Sequence, residues 1–233
     1  ASMADAKESY AVEAYSVEVD FSWRLIVNED MDAISRVPQM LGTASGRTVN
    51  TVAWSVVTAN PTMGDGIALF SGASGVRKRS NLTTGAGAPA VATIQTLTNL
   101  MMQMRGENTP EGNESDDILS LMPVYIVGPS ALRTTILQIV RSISDPANTN
   151  SGVYNPAQGL NVMIEPRLDA SSTTAWYLFA SPAQIDTIEV TFLQGQETPV
   201  VRERMDESKW SQCFKVVQTF AAKAMNHRGI QKH

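Results

Sequence analysis

Chemically versatile side chains are scarce in this chain: its 233 residues include one cysteine and two histidines. A single cysteine excludes an intrachain disulfide and any cysteine-rich zinc site. Cys213 lies in an alternating stretch and reads as a small buried hydrophobe rather than a nucleophile. Both histidines, His227 and His233, sit at the C-terminal end and read as solvated tail residues. A Ser-His-Asp triad would have to use His227, and no G-x-S-x-G elbow accompanies it. Two histidines and a carboxylate could bind a metal, but nothing in the pattern supports such a site. Aromatics are 6% of the chain, and no apolar run approaches the ~18 residues of a membrane span. No charged-then-apolar leader opens the sequence, and its first residue is Ala1, which reads as a processed or cut N-terminus.

What is present is a core-forming complement of 43% apolar residues, mostly Val, Ile, Leu, Ala and Met, enough for one large domain or two small ones. The net charge of −5 hides strong segregation. Residues 1–32 carry eight acids and two bases, and residues 33–106 one acid and six bases. Residues 107–117 carry five acids and no base, while 118–233 are nearly balanced. Sorting of this kind gives register and specificity to a surface that docks a copy of itself. A set of solvated tails is the plainer alternative.

The stretch Val37–Asn60 predicts one long helix. Pro38 suits a first helical position, and Leu41, Ala44, Val49, Val52, Ala53, Val56 and Val57 recur at helical spacing. Asn60-Pro61 stops it, giving a rod of roughly 33 Å. Gly42 and Gly46 lie one turn apart, where another backbone could approach. Before the rod, residues 1–9 read as an arm. Residues 10–28 alternate with period two through Tyr15, Val17, Val19, Phe21, Trp23, Leu25 and Val27, which predicts an acidic ribbon. A projecting hairpin and an ordinary edge strand are both open. Asn28 or Asp30 is placed to cap a short helix through Ile34–Arg36.

Residues 61–90 are rich in Gly and Pro, and a second helix is predicted over about 90–105 with Met101, Met102 and Met104 as core filling. The acidic segment 106–117 reads as an exposed loop. From Pro123 the pattern becomes α/β: the unbroken run Val124–Val127 predicts a strand buried on both faces. A helix follows from Pro129 or Ser130. A polar loop over 144–159 and strands near 161–165, 176–180, 187–193, 199–204 and 213–220 come next, then a basic tail over 223–233.

Little in this pattern carries chemistry. Gly72-Ala73-Ser74-Gly75 before Arg77-Lys78-Arg79 lacks phosphate-loop spacing. The basic triplet suits nonspecific contact with nucleic-acid phosphates, or better an acidic patch on a neighbour. Glu111, Glu114, Asp116 and Asp117 lack the alternation and glycine of a calcium loop. No catalytic residue, cofactor site or metal site is expected. The candidate inter-subunit contacts are Glu13, Glu18 and Asp20 on the ribbon, Arg77, Lys78 and Arg79, and the acids Glu111, Glu114, Asp116 and Asp117.

Several segments, in order, resemble the Mu-like phage major head subunit: L-I-V-N-E-D-M-D-A-I-S-R-V-P (Leu25–Pro38), T-A-N-P (Thr58–Pro61), D-G-I-A-L-F (Asp65–Phe70), E-P-R-L-D (Glu165–Asp169), T-A-W-Y-L-F-A (Thr174–Ala180), I-D-T-I-E-V-T-F-L-Q-G-Q (Ile185–Gln196) and the ending over Phe214–Gly229. The resemblance implies an α+β fold of Hong Kong-97 type. It implies an arm over 1–9, an extended β-hairpin loop over 10–28 and a peripheral domain over 29–122 with its spine helix at 38–60. An axial domain over 123–199 and a return to the peripheral domain with a C-terminal tail over 200–233 complete it. It further implies a major capsid protein of a tailed double-stranded DNA bacteriophage, non-enzymatic, assembling with itself into hexamers and pentamers of an icosahedral head. Its partners would be a portal, scaffolding or decoration proteins and packaged DNA held nonspecifically, with no membrane. Its place would be the virion, and the host cytoplasm during assembly. An encapsulin-type bacterial compartment shell is the alternative reading, and a Ser/His hydrolase a remote one.

Some capsids of the fold implied by this resemblance crosslink their subunits through Lys–Asn isopeptide bonds. Residues 10–28 contain no lysine, and Lys7 is the only one before them. Mature particles should therefore run on a denaturing gel as a single band near the chain mass of 25.2 kDa. A ladder of multiples would contradict this.

Overall fold

The computed structural model describes residues 8–28, 34–72, 80–85, 87–107, 114–144 and 154–233. In chain order its elements are β1 (Glu13–Ser22), α1 (Trp23–Asn28), α2 (Val37–Ala59), α3 (Val91–Met102), β2 (Arg105–Glu107), β3 (Glu114–Ile118), β4 (Pro123–Gly128), α4 (Arg133–Arg141), β5 (Asn161–Ile164), β6 (Tyr177–Ala180), β7 (Ile188–Phe192), β8 (Val200–Asp206), β9 (Ser211–Ala224) and β10 (Ile230–Lys232). Single 3-10 turns lie at Ser130–Leu132 and Pro166–Ala170. The chain divides into two compact units: Tyr10–Ser55 with Val190–Lys223, and Ala1–Ser9 with Val56–Glu189 and Ala224–His233.

The first unit is built on β9. β1 pairs antiparallel with it from Glu13 opposite Phe220 to Ser22 opposite Ser211. β8 pairs with its other side from Val200 opposite Val217 to Asp206 opposite Ser211, and β7 also joins it. One face of this sheet is apolar: Phe214 and Val216 are buried with Leu41 and Ile34, and Val19, Phe21 and Val37 pack against them. The buried Ser45 hydroxyl donates to Gln218 Oε1 at 2.5 Å and so fixes α2 on the same face. Phe220 stacks on Tyr15 with ring centroids 4.5 Å apart.

α2 is the predicted rod, ending one residue earlier than expected. It tolerates its threonines because Thr43, Thr48 and Thr51 each donate to the carbonyl one turn back. It stops where Asn60 turns left-handed, at φ +48°, before Pro61. The Asn60 side chain then holds the next segment, accepting from Phe70 N at 2.6 Å and donating to Phe70 O at 3.2 Å. Among the described residues nothing lies within 4 Å of a side chain added at Gly42 or Gly46, so the expected close backbone approach is not made within the chain.

The ribbon over 10–28 is corrected. The strand ends at Ser22, Trp23–Asn28 is helical, and β1 takes its partner from the far end of the chain rather than folding back on itself. The edge strand, not the hairpin, is what the pairing supports, because β9 offers ten consecutive partners. Of the short helix predicted next, Ile34 and Ser35 are helical and Arg36 turns. The capping candidate Asp30 lies outside the described residues.

The second unit holds a sheet of order β10-β6-β4-β5. β4 and β5 run parallel, joined through α4, as a parallel pair requires a crossover. β6 runs antiparallel to both β4 and β10. α3 and α4 cover one face, where Ile94, Leu97, Met101, Ile136 and Ile139 bury against Ile126, Trp176 and Leu178. Met104 is buried as well, whereas Met102 is 38% exposed and is not core filling. On the opposite face Phe70 packs on Tyr177 at 5.6 Å, and the Lys232 ammonium sits 5.4 Å from the Phe70 centroid. The Asp169 carboxylate accepts from the Ser130 hydroxyl and from the Ser130 and Ala131 amides, and the hydroxyl bond above all lowers its pKa.

Two expectations fail here. The acidic segment 106–117 is not a simple loop: its ends pair as β2 and β3, Arg105 opposite Ile118. The basic tail is not a tail either: Ile230 and Gln231 are fully buried in β10, and Arg228 donates to the Arg105 carbonyl at 2.6 Å. Backbone pairing with β6 supplies the burial that the polar composition of 226–233 concealed.

Gly229 is held between two stiff neighbours in this unit. A methyl group there would lie 2.5 Å from the Cγ2 atoms of both Ile185 and Thr187, which are branched at Cβ and cannot swing aside. Gly229→Ala should cost about 1–3 kcal/mol in denaturant unfolding. Gly87→Ala, with nothing within 4 Å, should stay near wild type. Equal stability of the two variants would contradict this packing.

Candidate interaction surfaces

Strand alternation sorts charge onto the face of the first sheet that α2 does not cover. Glu18 stands opposite Lys215 and Asp20 opposite Cys213; across β9, Lys215 stands opposite Arg202 and Cys213 opposite Arg204. Glu18 accepts from Arg204 at 3.4 Å and faces the Lys215 ammonium at 3.8 Å. The Glu18 carboxylate is thus answered inside the chain by one base of β8 and one of β9.

Glu18, Asp20 and Cys213 bring their ligand atoms within 4.8 Å of one another. The chemistry does not favour a cation there. Arg204 and Lys215 already occupy the Glu18 carboxylate, and Cys213 is buried. A hydrogen bond with Asp20, followed by burial, pushes the Cys213 thiol up, so it is held as the protonated, weakly ligating form. What this surface can do is pair charges.

The other sequence-predicted contacts fall elsewhere. Glu13 is exposed on β1 and accepts from the Tyr15 hydroxyl at 3.4 Å. Burial, and then Glu13, raise the Tyr15 pKa. Glu114, Asp116 and Asp117 lie on β3, where Asp117 is exposed. Arg77, Lys78, Arg79 and Glu111 lie outside the described residues, as do the side chains of Glu114 and Asp116. The structure therefore brings Glu18 together with Arg204 and Lys215, two bases that the sequence did not single out, and sets Asp20 against Cys213.

An exposed aromatic pair was also missed. Trp23 and Trp210 meet edge to face, centroids 6.4 Å apart at 77°, and are 46% and 64% exposed. The Trp23 amide donates to the Trp210 carbonyl at 2.7 Å, and Trp210 holds a left-handed φ of +47°. The turn leading to it is closed by Asp206, which accepts from Ser208 N at 3.0 Å. The Ser208 hydroxyl bond, first of all, lowers the Asp206 pKa. Met205, 56% exposed, lies on the adjoining strand. Exposed tryptophans on a rigid turn are the residue type that anchors protein–protein contacts. The sequence signal is one tryptophan set in the polar run D-E-S-K-W-S-Q (Asp206–Gln212).

The histidines are corrected too. His227 is half-buried, and its carbonyl accepts from the Asn81 amide at 3.3 Å. His233 pairs through its backbone with Trp176, and its ring stacks on that indole at 5.1 Å. On the same face, Trp176 Nε1, His233 Nδ1 and both side-chain amide atoms of Gln231 are buried without a partner among the described residues. Burial also lowers the Lys232 pKa beside Phe70 and Tyr177, and raises that of Tyr177.

Comparison with known proteins adds the following. The profile of a family described as phage capsid protein matches residues 6–233. No curated protein matches the chain by sequence at a significant level. A structure described as Mycobacterium phage Patience superposes with a TM-score of 0.62 at 11% identity, over 97% of this chain and 71% of that one. The capsid of Myoviridae phage XM1 gives 0.61 at 10% identity, over 95% and 72%. The holo-SrpI encapsulin complex from Synechococcus elongatus PCC 7942 gives 0.57 at 12%, over 96% and 73%. Identities this low carry the fold and nothing finer.

Burial holds the His233 imidazole below its ordinary pKa of about 6.5. The folded chain thus takes up this proton less readily than the unfolded chain. Above about pH 7 both forms are neutral and the full stability is present. Below about 6.5 the unfolded chain protonates first, and stability falls until the pH passes the folded value. Melting temperatures between pH 7.5 and 5.5 should show this decline in the wild type. It should be smaller in His233→Phe, which keeps the ring stack and cannot titrate. Identical declines would remove His233 as the cause.

Proposed function

This chain belongs to the phage capsid protein family and has the α+β capsid fold of Hong Kong-97 type, and from that premise we propose that it is the major head subunit of a tailed double-stranded DNA phage of the Mu-like kind. It works by association rather than catalysis, joining copies of itself into hexamers and pentamers that close an icosahedral shell. The observation that carries this reading is the family match over residues 6–233. The ordered segments that resemble the Mu-like head subunit narrow it. The exposed Trp23–Trp210 pair and the charged strand faces supply the two ingredients of such contacts, an apolar anchor and a charge-matched rim.

The peripheral role belongs to 29–122 and 200–233 and the axial role to 123–199. The particle would hold DNA by nonspecific contact, with a portal and with scaffolding or decoration proteins as further partners. It would form in the host cytoplasm and persist in the virion. Arg77, Lys78 and Arg79 are proposed to meet an acidic surface of an adjacent subunit, of which Glu13, Asp20, Glu111, Glu114, Asp116 and Asp117 are the candidate acids. A second reading, an encapsulin-type compartment shell, rests on the structural likeness to the Synechococcus encapsulin over 96% of this chain.

Negative-stain microscopy and size-exclusion chromatography of the full-length protein test the proposal. Closed shells or capsomer rings are expected, with nuclease-protected DNA in particles from infected cells. Shells that hold a protein cargo and no DNA would favour the compartment. Persistent monomers near 25.2 kDa, with any upstream region and scaffold supplied, would end both readings. Reversing the charges of Arg77, Lys78 and Arg79 should abolish assembly while leaving the melting temperature within a few degrees of wild type; normal shells from that variant would remove the triplet from the interface.

A further inference from the structure

The outer strand of the β10-β6-β4-β5 sheet is β5, and its far edge has no strand partner among the described residues. Beside it lies a groove of about 350 Å³ between β5 and α4. Leu137, Val140, Val162 and Ile164 give the groove an apolar lining, and Arg133 and Arg141 also line it. Both arginines are exposed, and neither has an acidic partner among the described residues. An unpaired edge next to an apolar groove is the arrangement that accepts an added strand from another chain, with backbone bonds giving affinity and side-chain pockets giving register.

The chain carries a strand of complementary chemistry. β3, Glu114–Ile118, pairs with β2 along one edge and has no partner on the other among the described residues. Three of its five residues are acids, and it ends in Ile118, an isoleucine 52% exposed. Neither edge is satisfied by the other within one chain.

We propose that β3 of one copy adds to β5 of the next, with Ile118 entering the groove and the β3 acids answering Arg133 and Arg141. The two surfaces are different patches of the same chain, so the contact is head to tail and propagates around a ring. The proposal rests on the self-assembly reading above and assigns its contact to named strands. Charge complementarity commits the groove to a second copy of this chain, since β3 matches it in edge, sign and apolar end.

The test reads the contact separately from shell formation. Ile118→Cys chains are mixed with Val162→Cys chains at high concentration and oxidised, which tests the pair directly, since Val162 lines the groove; the native Cys213 is buried and contributes little background. A disulfide-linked dimer in the mixture, absent from either chain alone, is expected; its absence overturns the proposal. In parallel, Arg133→Glu/Arg141→Glu and Asp116→Lys/Asp117→Lys should each raise the concentration at which assembly begins by about tenfold or more, with unchanged melting curves. The fourfold variant that carries both changes should recover assembly. A fourfold variant that folds but does not assemble, or a double variant that assembles like wild type, overturns it. If the two cysteine variants crosslink in the mixture yet the wild type never forms rings or shells, the capsid reading fails and this contact stands.

Discussion

Much of the first unit depends on one constraint: β9 is hydrogen-bonded on both edges over the same residues. From Ser211 to Val217 it is flanked by β1 on one side and β8 on the other. Each backbone bond contributes only about 0.5–1.5 kcal/mol net, so the gain lies less in any one bond than in what the double pairing sorts. With three strands in register, one face collects Val19, Phe21, Phe214 and Val216 for α2 to cover. The other face collects Glu18, Asp20, Arg204 and Lys215. A one-residue slip of β1 would turn acids toward the helix and valines to water. The Trp23–Trp210 contact depends on the same register, because Trp23 follows the last residue of β1 and Trp210 precedes the first of β9.

Local signals made some elements legible in the sequence and left others hidden. α2 was readable because 23 residues are long enough to express a 3.6-residue period and Asn60-Pro61 closes it. β4 was readable as an unbroken apolar run. α1 was not: Trp23, Leu25 and Val27 continue the alternation of β1, and a six-residue helix is too short to declare its own period. β10 was hidden because Ile230 is its one apolar residue, and its burial comes from β6. β2 and β3 were hidden by acids that composition assigns to loops.

The surfaces were less legible than the fold, for a different physical reason. Glu18 and Asp20 could be named from their alternation, but Arg204 and Lys215 acquire meaning only from a register that spans most of the chain. The two tryptophans are far apart in sequence and adjacent in space. Sequence identities of 10–12% to structures of the same fold show how little of the side-chain pattern this backbone requires.

The β1–β9 pairing also has a consequence in time. β1 is made before β9, with Trp23 to Trp210 translated between them. At about 5–20 residues per second, the ribosome leaves β1 without its strand partner for on the order of 10 to 40 s. On a polysome, many such strands hang close together, each an unpaired edge able to join another. Glu13, Glu18 and Asp20 make those strands repel one another until bases arrive with the far end of the chain. The acidity of β1 is thus in place well before Arg204 and Lys215 are made to answer Glu18.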